Sequence, residues 1–320
     1  LSQWAMVGRL RRPPAMGNNA TTGHARLLPI AHCPLPPTWR RHHGNATRSR
    51  AWVIANCRPN AHPTSMITVA ISGVPGRLAV AVAAGVDASP EMELVAVFNP
   101  KRPGQTFGNL SMTTDHAAVV GDVVFESTDP DVVMTNLRAW RNAGMYAVVG
   151  TSGFTTERIE TLRGFWGDDG PGCLIVPNFS IGAVLMMRFA EQAAPHFSGV
   201  EIVERHHHDK PDAPSGTSIA TAARISAAGG SSIELSKEMV SGSRGGVVDG
   251  IRIHSLRMEA TLSDQEVAYS RPGELLSIHH VGTAYGAYVD GALLAMRYVT
   301  TMSGVEVGLD GALDWRAAHL

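Results

Sequence analysis

Cysteine is scarce in this chain. The 320 residues include three, Cys33, Cys57 and Cys173, at spacings that match neither a zinc-ligand pattern nor a disulfide framework. A stapled fold is therefore not expected, and a reducing, cytoplasmic compartment fits. Aromatic residues are also few, at 6% of the chain against 33 glycines, which points towards a glycine-rich α/β enzyme. No apolar run approaches the roughly 18 residues that a membrane-spanning helix needs. Asp, Glu and Lys are missing altogether from residues 1–65, which hold nine arginines and five histidines. An Arg-rich, acid-free stretch can be a transit peptide or a basic tail. This one is broken by prolines, has no sustained hydrophobic period and lacks the apolar core of a secretory signal. Residues 1–65 are accordingly expected to be a disordered or spurious extension, with no nucleic-acid or membrane partner. The net charge of −1 conceals the asymmetry: residues 66–320 hold all 28 acidic residues but 18 of the 27 basic ones.

What remains is ordinary globular material, 44% hydrophobic and 17% charged, long enough for one large domain or two smaller ones. Ile67 to Ser72 is a β-branched run that ends in the glycine turn Gly73-Val74-Pro75-Gly76-Arg77-Leu78-Ala79. A helix over Leu78–Val86 and a strand over Glu93–Phe98 follow, making a strand–turn–helix–strand unit. Further strands are predicted at 122–125, 147–149 and 173–176, with a helix over 131–142. This alternation implies an α/β fold, a Rossmann-like doubly wound parallel sheet that binds ligands at the carboxyl ends of its strands. Beyond Asn178 the pattern changes. Helices are predicted over 181–194, 215–226 and 287–301, and a strand over 199–203. Segments 251–257, 265–269 and 275–279 alternate like antiparallel strands with one exposed face. Residues 229–250 are Gly/Ser-rich and are expected to form a mobile loop. The changes of pattern set off three segments, 66–177, 178–285 and 286–320.

The candidate cofactor residues lie at successive strand ends. Gly73, Val74, Pro75, Gly76, Arg77 and Leu78 form the first turn, where glycines let a pyrophosphate approach the start of a helix. Asn99 and Lys101 end the second strand; no carboxylate stands there to repel a 2′-phosphate, so NADPH is favoured slightly over NADH. Gly150, Thr151 and Ser152, then Pro177, Asn178 and Phe179, occupy later strand ends and are read as lining the nicotinamide end. The densest chemistry lies in Glu204-Arg205-His206-His207-His208-Asp209-Lys210-Pro211-Asp212-Ala213-Pro214-Ser215-Gly216-Thr217. Histidine can deliver a proton near neutral pH, lysine supplies fixed positive charge, and a Ser-Gly-Thr helix start offers amides to an anion. No third ligand completes a metal site, so none is expected. The run reads as a device for holding a small carboxylated molecule and protonating it.

Taken together, these segments resemble the dihydrodipicolinate (4-hydroxy-tetrahydrodipicolinate) reductase family. That family carries a G-x-x-G-R-M-G turn, a V-I-G-T-T-G-F segment, an N-F-S segment and E-x-H-H-x-x-K-x-D-A-P-S-G-T. The counterparts here, in the same order, are Gly73 to Ala79, Val148 to Phe154, Asn178 to Ser180, and Glu204 to Thr217. The resemblance covers essentially 66–310. It implies NAD(P)H-dependent reduction of a cyclic dicarboxylate in lysine and diaminopimelate synthesis, by a homotetramer, with 66–177 as the dinucleotide-binding domain, 178–285 as a central α+β domain for substrate and oligomerisation, and 286–320 as a return to the first domain. It further implies His206 as general acid, Lys210 as catalytic and carboxylate-binding, and His207, Ser215, Gly216 and Thr217 as the dicarboxylate grip. Two departures stand out: Ala79 replaces a usual glycine, and Glu126-Ser127-Thr128 replaces the common D-F-T. Two other readings keep the same residues, a dehydrogenase of another small carboxylated imine or amino acid, and a non-catalytic NAD(P)H sensor.

Overall fold

A computed structural model describes residues 66–234, 237–259 and 261–319; the extension expected over 1–65 lies outside the described residues. β1 (Ile67–Ser72) is buried along nearly its whole length, as a central parallel strand covered on both faces must be. After the glycine turn comes α1 (Arg77–Ala88), which buries Ala79, Val82, Ala83 and Val86. Ala79 thus belongs to the sheet-facing stripe of the helix. β2 (Met92–Phe98) leads to a hairpin of β3 (Thr106–Phe107) and β4 (Leu110–Thr113) that the sequence pattern did not predict. The alternation resumes with β5 (Val123–Glu126), α2 (Val133–Asn142), β6 (Tyr146–Val149), α3 (Thr156–Trp166) and β7 (Cys173–Ile175).

The second half runs α4 (Ile181–Ala193), β8 (Gly199–His207), α5 (Gly216–Ala227), β9 (Gly246–Val248), β10 (Ile251–Met258), β11 (Ser263–Arg271) and β12 (Glu274–Gly282). It ends with α6 (Val289–Val299), β13 (Val305–Val307) and α7 (Asp310–Ala318). Two sheets result, ordered β13-β7-β6-β5-β1-β2-β4-β3 and β12-β11-β8-β10-β9. In the first, β1 has β2 on one side and β5 on the other, both parallel, so chain order reverses there and opens a crevice at the strand ends. α6 packs back against α1 and β6, while β13 extends the sheet beyond β7.

The second sheet corrects three expectations. β8 does not stop at Val203 but runs on to His207, so the first histidines of the run sit on a strand. β10 pairs with β8 in parallel, not antiparallel; only the β8–β11 and β11–β12 ladders, with the short β10–β9 pair, are antiparallel. The 229–250 stretch supplies an edge strand and is pinned by Ser232, whose hydroxyl donates to the Val200 carbonyl. α4 and α5 cover one face of this sheet, where Val200, Ile202, Ile225, Ile253, Val267 and Tyr269 are buried. Tyr269 donates its hydroxyl to the Ala190 carbonyl at 2.5 Å, so its polar tip is satisfied in the core.

Candidate active site

Gly73 leaves β1 at φ +108°, and a Cβ there would stand 2.5 Å from the Ser127 carbonyl oxygen. Only glycine allows the turn and the loop after β5 to meet. The Gly76 amide closes the turn by donating to the Gly73 carbonyl at 2.9 Å. No side chain caps α1, so its N-terminal amides are those a phosphate takes. Between the ends of β1, β2 and β5 lies a cavity of about 480 Å³. A glycine cradle that a Cβ would fill, opening on an uncapped helix start, fits a dinucleotide.

The predicted cofactor residues divide into two groups here. Gly73, Pro75, Gly76, Asn99 and Lys101 line the cavity. Val74 is buried, but its carbonyl accepts from Asn99 Nδ2 at 2.7 Å, which ties the first two loops together. Lys101 pairs with Asp129 of the loop after β5, and this hydrogen bond holds its ammonium above the ordinary lysine range. Arg77 lies over the Tyr285 ring at 5.3 Å. The later strand ends do not line the cavity. Gly150 is required by packing, since a Cβ would meet the Phe179 ring at 2.8 Å and Leu78 at 3.4 Å. Thr151 and Phe179 are buried, and the Phe179 ring stacks near Phe125. Ser152 and Pro177 are exposed.

The histidine run is organised by strand register. On β8, Glu204 and His206 share the inner face with Val200 and Ile202, while His207 alternates to the other face. Cross-strand pairing sets Gln265 beside Glu204 and Ser263 beside His206 on β11, and His280 beside Gln265 on β12. On β10, Ser255 stands beside Glu204 and Arg257 beside His206. The polar residues therefore form a patch across four strands, covered by the starts of α4 and α5. A cavity of about 70 Å³ lies there, with His206, Ser215, Thr217, Asn178, Ser180 and His280 in its wall. Ser215 caps α5 by accepting from the Ser218 amide, and Thr217 accepts from Asn178 Nδ2 at 3.0 Å. Ser180, the cap of α4, meets His280 Nε2 at 3.0 Å.

Glu204 is the residue that the sequence reading missed. It is fully buried and binds His206 Nδ1 with one oxygen and Arg257 Nη1 at 3.0 Å with the other. Burial pushes its carboxyl up, but hydrogen bonds from His206, Ser255 and Arg257 outweigh that and hold it at about 2. Its position two residues before His206 on a strand is the signal that finds it. Arg257 also donates to the carbonyls of Lys210 and Asp212, fixing the loop after β8. Lys210 spends its ammonium on both Asp212 oxygens, at 2.6 and 2.7 Å, and with His207 and Gly216 it stands outside the cavity wall. His280 was also missed. Burial, then the neighbouring His279, push its imidazole below the ordinary range, against an opposing pull from Asp264.

Comparison with known proteins bears on the same segments. Two family models match, "Dihydrodipicolinate reductase, N-terminus" over residues 67–179 and "Dihydrodipicolinate reductase, C-terminus" over residues 182–312. The 4-hydroxy-tetrahydrodipicolinate reductase of Nocardia farcinica is 41% identical over 255 residues, covering 78% of this chain and 99% of the relative. That of Mycolicibacterium smegmatis is 40% identical over 252 residues, covering 77% and 98%. The dipicolinate-bound dihydrodipicolinate reductase of Paenisporosarcina sp. TG-14 superposes with a TM-score of 0.69 at 31% identity, covering 77% of this chain and 98% of that one. With both halves matched in order and the glycine cradle and histidine patch in place, the chain belongs to the dihydrodipicolinate reductase family of NAD(P)H-dependent enzymes.

Proposed function

We infer that this chain converts 4-hydroxy-tetrahydrodipicolinate to tetrahydrodipicolinate with NAD(P)H and a proton, the 4-hydroxyl leaving as water, a step of lysine and diaminopimelate synthesis. The observation that carries the reading is His206, held through Nδ1 by the buried Glu204 in the wall of a cavity completed by the start of α5. When bound between the ends of β1, β2 and β5, reduced nicotinamide nucleotide supplies a hydride. Gly73, Gly76 and the first amides of α1 hold its phosphates. With Glu204 on Nδ1, the protonated ring of His206 presents Nε2–H, which donates the proton that the electron-rich ring carbon takes up. Ser215, Gly216 and Thr217 offer to one carboxylate the amides at the start of α5 that the Ser215 cap leaves free. Lys210, released from Asp212, supplies the positive charge for the dicarboxylate. Either nucleotide serves, with NADPH slightly favoured through Lys101 at the end of β2. A cytoplasmic, homotetrameric enzyme is part of the same reading.

The test is a coupled assay. Substrate is generated in situ from pyruvate and aspartate semialdehyde by a synthase, and loss of absorbance is followed with NADPH and NADH separately. Synthase-dependent oxidation is expected, falling by roughly two orders of magnitude in His206→Gln. Absence of oxidation by protein that binds the nucleotide overturns the assignment, and an unaltered rate in His206→Gln overturns the role of His206.

A further inference from the structure

The mechanism leaves one buried carboxylate unused. Glu126, the last residue of β5, has no exposed surface. A lone buried carboxylate costs several kcal/mol unless its oxygens are satisfied, and here every donor can be named. Oε1 accepts from the Thr128 amide at 3.0 Å and from the Thr128 hydroxyl. Oε2 accepts from the indole N–H of the buried Trp140 at 2.9 Å.

The donors form a one-way chain. Because the Thr128 hydroxyl gives its hydrogen to Glu126, its oxygen is left as an acceptor, and Asn136 Nδ2 donates to it at 3.2 Å. Asn136 Oδ1 then accepts, at 2.9 Å, from Nε2 of His116. That assignment fixes the His116 proton on Nε2. His116 is itself wedged between Phe98 and Trp140, with ring centroids 4.6 and 5.1 Å away. The sequence of donation is His116 to Asn136 to Thr128 to Glu126, with Trp140 closing on the second oxygen.

The main chain of Glu126 reaches in the other direction. Its carbonyl accepts from the Gly150 amide at 2.8 Å and from the Thr151 hydroxyl at 3.5 Å. Its neighbour Ser127 donates from both amide and hydroxyl to the Ser72 carbonyl and sets its own carbonyl against Gly73. Ser127, Thr128 and Asp129 line the cofactor cavity, and Asp129 holds Lys101. Glu126 and Ser127 together thus fasten the loops after β1, β5 and β6, and the Glu126 side chain adds the tie to Thr128 within the loop after β5.

We propose that Glu126 is a positioning residue for the nicotinamide nucleotide, acting through Thr128 and the relay from His116 to shape the loop that lines the cofactor cavity. It deepens the reductase reading and rests on its NAD(P)H site, but not on the identity of the second substrate. A shorter aspartate at this place reaches less far towards Trp140, which gives a physical reason for glutamate here.

The test uses Glu126→Gln. An amide at this position must point a donor at either Trp140 or Thr128, each of which already donates. The expected result is a dissociation constant for NADH and for NADPH raised about ten-fold alike, read by fluorescence titration without turnover, while kcat at saturating nucleotide falls far less. Asn136→Leu breaks the relay from a helix that does not line the cavity, and it should weaken both nucleotides in the same ratio. The double variant should then be no weaker than Glu126→Gln alone, because both act on Thr128. A folded Glu126→Gln whose nucleotide affinities stay within two-fold of wild type overturns the proposal, as do fully additive effects. Should Glu126→Gln fail to fold, unchanged affinity in Asn136→Leu overturns it. Nucleotide binding is measured directly, so failure of the reductase assignment would leave this result readable.

Discussion

The pair Glu204 and His206 shows how much a single strand position decides. Two residues apart on β8, they share one face, and Arg257 on β10 supplies the third member. Because the folded carboxyl lies at about 2, below its ordinary 4.5, the sign of its pH dependence is fixed. The stabilisation is fully present above the ordinary carboxylate range and is lost as pH falls through the folded value. Glu204→Gln should therefore be less stable than wild type by a few kcal/mol at pH 7, since Arg257 loses its buried counter-ion. The gap should begin to narrow below about pH 5, stay substantial at pH 4 and close only near pH 2. Urea denaturation across that range, monitored by circular dichroism, checks it; a gap that closes by pH 4 is incompatible with a depressed carboxyl. His206 and Ser215 were legible because histidine and a Ser-Gly-Thr turn carry chemistry in their residue types. Glu204 was not, because an acidic residue in a strand reads as solvent-facing until the register turns it inward.

Elements were legible wherever local chemistry and burial agree. β1, α1, β2 and α4 combine strong periodicity with clear ends, and the structure shows them nearly as the sequence pattern predicts. α3, by contrast, has only Leu162 and Trp166 buried, too weak an apolar stripe to stand out from a surface loop. β3, β4 and β13 are two to four residues long and owe their existence to a neighbouring strand. The parallel pairing of β10 with β8 was illegible for a different reason: alternation reports which face is buried, not strand direction. The start of α5 joins local and tertiary signals. Ser215 accepts from the Ser218 amide, and the Ser218 hydroxyl goes on to Gln265 Oε1 at 2.8 Å on β11. Ser215→Ala should cost about 1 kcal/mol, the ordinary value of a lost cap, and raise the KM for the dicarboxylate several-fold by loosening its amides. Steady-state kinetics with a saturating nucleotide would show this; a KM equal to wild type would detach the cap from substrate binding.

At the scale of the molecule, α7 is fastened to α4 and α5 by a cluster of charges. Asp310 binds Arg188 at 2.8 Å and Arg224 at 2.6 Å, and Arg188 also reaches Asp314 at 2.7 Å. Burial pushes the Asp310 carboxyl up, and the two guanidinium groups outweigh it and hold it below the ordinary range. Nothing comparable covers the outer face of the five-stranded sheet among the described residues. There the polar side chains pair among themselves: Arg205 with Asp264 at 2.7 Å, His254 with Glu201 at 2.7 Å, and His279 with Asp264 at 3.1 Å. Leu256, Met258, Leu275 and Val281 are left exposed on the same sheet, Leu275 at 82%. A face whose charges are already partnered can be buried against a like face without stranding an ion, and its apolar residues then gain what water now costs them. We propose this face as the assembly surface of the homotetramer. Leu275→Asp, which places a new charge at the most exposed apolar position of the face, should shift sedimentation from a tetramer to smaller species at micromolar protein. Nucleotide affinity should stay near wild type, because the cofactor cavity lies between the ends of β1, β2 and β5. A Leu275→Asp protein that still sediments as a tetramer would move the assembly surface elsewhere.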